Sequence, residues 1–262
     1  MTATKKKLAI WRVLALPALA LVSGPAWAGL LLASYDTGSS MQQSYFELQA
    51  ASRSQMDVRR EGIFTLPYQS TTSATVSGVS AVDRHAWSSD GFTVEFQRHQ
   101  KTGGSFITST GAMIFAVDQQ QQFRLDGIYS VDTSSAQEIQ LRVLLQDVTT
   151  NLLLYDSYQW DSAVGGTYSL GGLTGNRIAT LYGNATNTFI PGHVYAVFWM
   201  VSMDNFAPAA ADAAAFGHIS LNAVPEPSTI SIVAVGFVLL LIRGRALRAG
   251  ARGDSRLTPL GG

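Results

Sequence analysis

Phe92-Thr-Val-Glu-Phe96 places apolar side chains at every second position with polar ones between, and Ser89-Asp-Gly91 stands directly before it as a turn. Successive side chains of a strand point to opposite faces, so a period of two suits a strand with one buried and one wet face. Phe123-Arg-Leu125, Ile139-Gln-Leu-Arg-Val143 and His218-Ile-Ser-Leu221 repeat the pattern. Two longer apolar runs, residues 111–117 and 194–202, predict central strands covered on both sides, because Val, Tyr, Phe and Trp fit a pleated, packed surface. Turn signals fall between these stretches at Lys101-Thr-Gly-Gly104, Asp126-Gly127, Ala163-Val-Gly-Gly166, Gly171-Gly172 and Pro191-Gly192. About nine or ten short strands without alternating helices predict an all-β fold, a two-layer β-sandwich of jelly-roll type over residues 29–222.

Other segments are less regular. Residues 41–60 carry scattered apolar positions and read as strand; residues 119–122 read as a solvated loop. Residues 203–216 include Asp204-Asn-Phe-Ala-Pro208 and seven alanines, and read as a loop with one helical turn before a last strand at 217–222.

Composition limits the chemistry. The chain has 262 residues, 47% hydrophobic and 14% charged, with no cysteine. That excludes a disulfide framework, a thiolate metal site and a cysteine nucleophile. The net charge of zero conceals a partition: residues 29–222 hold nine basic side chains against sixteen acidic ones. A nucleic-acid partner is not expected from so acidic a middle. His85, His99, His193 and His218 are dispersed, no His-Glu-x-x-His occurs, and Gly78-Val-Ser80-Ala-Val82 lacks the last glycine of a nucleophile elbow. No catalytic residue is assigned, and no metal-ligand set is identifiable.

Carboxylates are more plentiful. Asp83, Asp90 and Glu95 surround Trp87; Asp126, Asp132 and Glu138 flank Tyr129; Asp156 and Asp161 bracket Tyr158 and Trp160. Acids at loop ends suit a structural Ca²⁺, the one cofactor the sequence suggests, and paired acids suit glycoside cleavage when held about 5–10 Å apart. An aromatic ring beside such groups can stack on a sugar while its neighbours bond hydroxyls. Trp87, Tyr158 and Trp160 are the candidate saccharide-binding residues, a place in the core being the alternative for each.

Both ends of the chain read as addresses. Lys5, Lys6 and Lys7 precede an apolar stretch at 13–22, and Ala26-Trp-Ala28 gives a small-x-small end, so residues 1–28 predict a secretory signal peptide cut between Ala28 and Gly29. Signal peptidase and the Sec translocon are its implied partners. At the far end, Val224-Pro225-Glu226-Pro227 precedes an uncharged segment at 230–242, followed by Arg243, Arg245 and Arg248. The sixteen charge-free residues of 227–242 would span about 24 Å as a helix, short of a hydrocarbon core of about 30 Å, so a single C-terminal transmembrane helix is marginal and relies on snorkelling arginines. Arginine beyond the segment keeps the tail cytoplasmic while the middle is exported.

This end, residues 223–248, resembles the PEP-CTERM sorting signal of Gram-negative bacteria, through Val224-Pro225-Glu226-Pro227, the apolar segment and the arginines. The resemblance implies processing by an exosortase, a membrane-embedded cysteine transpeptidase, near the proline motif. It also implies a transient precursor in the inner membrane, and a destination on the cell surface or in an extracellular matrix rich in polysaccharide. Residues 249–262 form a flexible cytoplasmic tail that runs longer than such signals usually do. The expected function is that of a non-enzymatic surface or matrix protein, exopolysaccharide being its candidate ligand. A secreted polysaccharide hydrolase and a purely structural or adhesive subunit are the alternatives.

Overall fold

The computed structural model describes residues 29–62, 64–133, 137–163, 166–170, 178–205 and 212–224. The expected leader at 1–28, Pro225, Glu226, Pro227, the apolar segment and Arg243, Arg245 and Arg248 lie outside the described residues, as do residues 249–262. No helix long and apolar enough to cross a membrane occurs among the described residues.

In chain order the strands are β1 (Leu30–Leu32), β2 (Ser34–Asp36), β3 (Met41–Gln43), β4 (Tyr45–Ser52), β5 (Gln55–Gly62), β6 (Tyr68–Val76), β7 (Val79–Ser88), β8 (Gly91–Gln100), β9 (Ser105–Val117), β10 (Gln121–Thr133), β11 (Gln137–Asp147), β12 (Leu152–Ala163), β13 (Gly166–Ser169), β14 (Ile178–Gly183), β15 (Thr186–Phe189), β16 (Tyr195–Asn205) and β17 (Ala213–Ala223). One sheet runs β14-β12-β11-β16-β9-β4-β5, with β1 also paired to β9. The other runs β13-β10-β17-β8-β7-β6, with β15 also on β10; β2 and β3 form a separate ribbon. Every pairing is antiparallel. The expected all-β sandwich is therefore present, with more and longer strands than the turn signals suggested.

The period-two stretches behave as their alternation requires. Phe92, Val94 and Phe96 of β8, Leu125 of β10, Leu141 and Val143 of β11, and Ile219 and Leu221 of β17 all point into one core, while Thr93, Glu95 and Arg142 face away from it. Residues 111–117 and most of 194–202 lie in β9 and β16, in the interior of the first sheet. Residues 41–60 are strand, as expected. Where a loop with a helical turn was expected over 203–216, residues 203–205 continue β16 and 213–216 open β17, while 206–211 lie outside the described residues. Ala213 and Ala215 are buried at alternate positions, so alanines that suggest a helix by propensity serve as small inward side chains of a strand. Likewise Gln121 and Gln122 open β10 instead of ending a loop.

One absent Cβ decides how Trp199 lies on its own sheet. Gly111 lies opposite Trp199, and a methyl group there would meet the indole at 2.1 Å. The indole thus lies flat over β9, stacked on Phe92 at 5.7 Å and edge-on to Trp87 at 6.4 Å.

Farther along β8 the inward face turns polar. Arg98 Nη1 donates to Asp83 Oδ1 at 2.5 Å, and both side chains are fully buried. The same nitrogen reaches the carbonyl oxygens of Gln97 and Val82, and the Ser109 hydroxyl of β9 donates to the second Asp83 oxygen. Gln100 Nε2 then donates to the carbonyl of Met203 on β16 at 3.0 Å. Ser109 and Met203 belong to the opposite sheet, so these bonds tie the two layers together.

Removing one member of a buried pair leaves the other charge without compensation. Asp83→Ala is expected to cost about 3–5 kcal/mol in urea unfolding, and the paired replacement Asp83→Leu/Arg98→Met distinctly less. A single replacement no costlier than the double one would show that the pair is not held in the core.

Candidate functional site

The sandwich separates the three candidate aromatics. Trp87 is in the core, 1% exposed, among Phe64, Tyr68 and Trp199. No ring face remains there for a sugar, which corrects its candidacy. The reason is phase: Val79, Ala81, Asp83, His85 and Trp87 all point inward along β7. Polar Asp83 and His85 on the inner face, with Val82 and Ala86 on the outer, blur the alternation and make the stretch resemble a loop. His85 is stacked on Phe46 at 3.7 Å, and burial pushes its imidazole down to about 4, so it is neutral at pH 7.

Tyr158 and Trp160 lie two residues apart on β12, both half-buried and facing away from the core. Their Cα atoms are about 7 Å apart along the strand. In register, Tyr158 faces Arg142 and then Met200, while Trp160 faces Gln140 and then Ser202. Trp160 Nε1 donates to Glu138 Oε1 at 2.5 Å, and Gln140 Nε2 donates to the same oxygen at 3.1 Å. Arg142 lies 5.8 Å from the Tyr158 ring centre and grips Asp156 with two nitrogens, at 3.2 and 2.9 Å. The Asp156 hydrogen bond raises the Arg142 pKa, so this cation stays charged and neutralised. Tyr182 of β14, 53% exposed, pairs with Asp156 and extends the face outward. The result is a solvent-facing strip in which aromatic rings alternate with polar groups held by their neighbours.

Asp204 of β16 faces Glu138 across the strand pair. Burial pushes its carboxyl up to about 6, and the Glu138 charge adds to the rise. Strand register thus places two acids side by side at the edge of the strip. The other acids do not converge on it: Asp83 is in the core, Asp90 is in a turn, and Glu95 and Asp126 are on the outer face of the other sheet. The side chains of Asp132 and Asp161 lie outside the described residues. No group of three or more potential metal-ligating side chains occurs among the described residues.

Arg142, Gln140, Asp204 and Tyr182 were not singled out in the sequence. Each is separated from Trp160 along the chain, and only strand register brings them together. His193 follows Gly192, which stands at φ +85°, and hydrogen-bonds Asp147 through Nδ1 at 2.7 Å. Burial raises the Asp147 carboxyl, but bonds from His193 and Thr150 outweigh it and hold the group below its ordinary value.

The two ends of the domain meet the same turns. Leu30 N donates to the Ser89 carbonyl at 2.6 Å, and Ala223 N to the neighbouring Asp90 carbonyl at 2.9 Å. Gly29 N donates to Asp118 Oδ1 at 2.7 Å, and Val224 N to the Gln122 carbonyl at 2.8 Å. Gly29, expected as the first mature residue, and Val224, first of the sorting motif, therefore leave from one pole, beside the β7–β8 and β9–β10 turns.

No protein-family model and no curated protein matches the chain. Among solved structures it is similar to a family 11 carbohydrate-binding module from Clostridium thermocellum, solved with a β-1,3-1,4-mixed-linked tetrasaccharide. That match has 10% identity and TM-score 0.20, over 69% of this chain and 98% of the module. It is also similar to the VP2 subviral particle of infectious bursal disease virus, at 9% identity and TM-score 0.20, over 84% of this chain and 72% of that one. Likenesses this loose carry no functional inference.

Between about pH 4 and 6 the native state holds a proton on Asp204 that the unfolded chain has released, so its contribution to stability falls as pH rises through that window. Asp204→Asn is accordingly expected to raise the melting temperature at pH 7 and to leave it nearly unchanged at pH 4. Equal shifts at both pH values would place the carboxyl in ordinary solvent.

Proposed function

We propose that this chain is an exported, non-enzymatic surface or matrix protein, and that the outer strip at Tyr158 and Trp160 binds an extracellular polysaccharide. The strip itself carries the reading. Two half-exposed rings lie one strand repeat apart on a sheet face, with Glu138, Gln140 and the Arg142–Asp156 pair fixed beside them. Rings at that spacing can lie against the apolar faces of sugar units while the flanking groups exchange hydrogen bonds with hydroxyls. An open face accepts a chain laid along it, where an enclosed pocket would accept only an end.

Export and sorting complete the proposal. Residues 1–28 act as the leader, and Val224-Pro225-Glu226-Pro227 with Arg243, Arg245 and Arg248 acts as a PEP-CTERM signal for an exosortase. The shared pole supports this arrangement, because both junctions, at Gly29 and at Val224, are carried on one end of the sandwich. One observation favours the purely structural alternative: Trp87, buried, removes one of three candidate contacts.

The binding half is tested by affinity electrophoresis in gels containing soluble β-glucan, an N-acetylglucosamine polymer or alginate. At least one should retard the protein, and Trp160→Ala should weaken binding about tenfold, the scale of one lost ring contact. Migration unaffected by all three polymers, or retardation kept in both Trp160→Ala and Tyr158→Ala, removes the saccharide reading. The sorting half is tested by intact mass and fractionation in an exosortase-bearing host. The wild type should lose residues 1–28 and the segment beyond the proline motif, whereas Pro225→Ala/Glu226→Ala/Pro227→Ala should stay in the membrane with its arginines.

A further inference from the structure

We propose that leader removal also completes the domain: the α-ammonium created at Gly29 forms an ion pair with Asp118 that seats β1 against β9. This rests on the reading of residues 1–28 as a cleaved leader and goes beyond it.

The geometry is already in place. Gly29 N lies 2.7 Å from Asp118 Oδ1, and Asp118 N returns a bond to the Gly29 carbonyl at 3.3 Å, so the two residues clasp each other across the β9–β10 turn. In the precursor, Gly29 N is a neutral amide with one hydrogen. Hydrolysis of the Ala28–Gly29 bond leaves the carboxylate on Ala28 and an amine on Gly29, which takes up a proton at neutral pH and carries a full positive charge. A hydrogen bond from a charged donor to a carboxylate is about twice as strong as one between neutral groups.

The strand that benefits is short. β1 has three residues, pairs only with the end of β9, and buries Leu30 in the core at 1% exposure. Few backbone bonds hold it, so a fixed charge on Gly29, the residue directly before it, contributes a large share of its attachment. The surroundings suit a cation: Asp118 and Asp90 are the charged side chains on the two turns that receive Gly29 and Leu30, and residues 30–33 and 115–117 carry none. Nothing there requires glycine, because a Cβ would stand 3.5 Å from Asp118 Oδ2 and 3.7 Å from Ser89 Cβ, in ordinary contact without clash. The clasp thus requires only that the chain begin at this residue.

The sequence permits a direct test. Lys5, Lys6 and Lys7 leave with the leader, and Lys101 is the one lysine that remains. In a Lys101→Arg background, the full chain exported through its own leader therefore carries a single primary amine, at Gly29. Reductive methylation with ¹³C-formaldehyde labels that amine alone, and its titration is followed by ¹³C NMR. Its pKa is expected to lie about half a unit to one unit above the ordinary α-amino range of roughly 7.7–8.0, to return to that range in Asp118→Asn, and to move toward it in 1 M salt. An amine that titrates alike with and without Asp118 overturns the ion pair while leaving the leader reading intact. An intact mass that begins at a residue other than Gly29 overturns both.

Discussion

Asp83, Arg98 and Ser109 form the contact on which the rest of the sandwich depends, because it sets which face of each strand is inside. A buried ion pair adds little net stability, since the desolvation of two charges offsets most of their attraction. Its effect is on the alternatives. Slipping β7 or β8 by one residue would turn every side chain to the opposite face and leave a charge buried without its partner. The hydroxyl of Ser109 reaches the same carboxylate from the other sheet, so the pair fixes the layers relative to each other as well as the strands within one layer.

That constraint propagates along β7 and β8. With Asp83 and Arg98 inward, His85 and Trp87 must also be inward, and so must Phe92, Val94 and Phe96. Trp87 meets Trp199 of the opposite sheet, and Trp199 lies flat over the neighbouring strand β9 because Gly111 has no side chain. The core therefore runs from an aromatic end to a polar end. With these rings committed to the interior, the outer faces of the strands are left for other work.

The sandwich was legible because alternation in Phe92-Thr-Val-Glu-Phe96 and Ile139-Gln-Leu-Arg-Val143 reports a face directly, with no knowledge of neighbours. Trp87 left both a core place and a sugar contact open, because its strand has charged and imidazole groups inside and Val82 and Ala86 outside, so pattern and phase disagree. Residues 213–216 were misread because alanine favours helices in isolation, whereas tight packing between β8 and β10 calls for small side chains. The strip was half legible. Tyr158 and Trp160 show their shared face by spacing, but the link from Trp160 to Glu138 crosses 22 residues and exists only once β11 and β12 pair in this register.

The placement of the ends follows from the same sheet logic. β1 and β17 belong to different sheets, yet the hairpin turn between β7 and β8 accepts a backbone bond from each, through the carbonyls of Ser89 and Asp90. A two-residue turn has carbonyls that the sheet does not use, and here they anchor the first and last strands. Gly91 makes the turn feasible: at φ +148°, with the Leu221 carbonyl oxygen 1.9 Å from where a Cβ would stand, only glycine lets β17 pass so close. The turn that reverses β7 into β8 thereby also fixes where the described chain begins and ends, with Gly29 and Val224 at one pole of the sandwich.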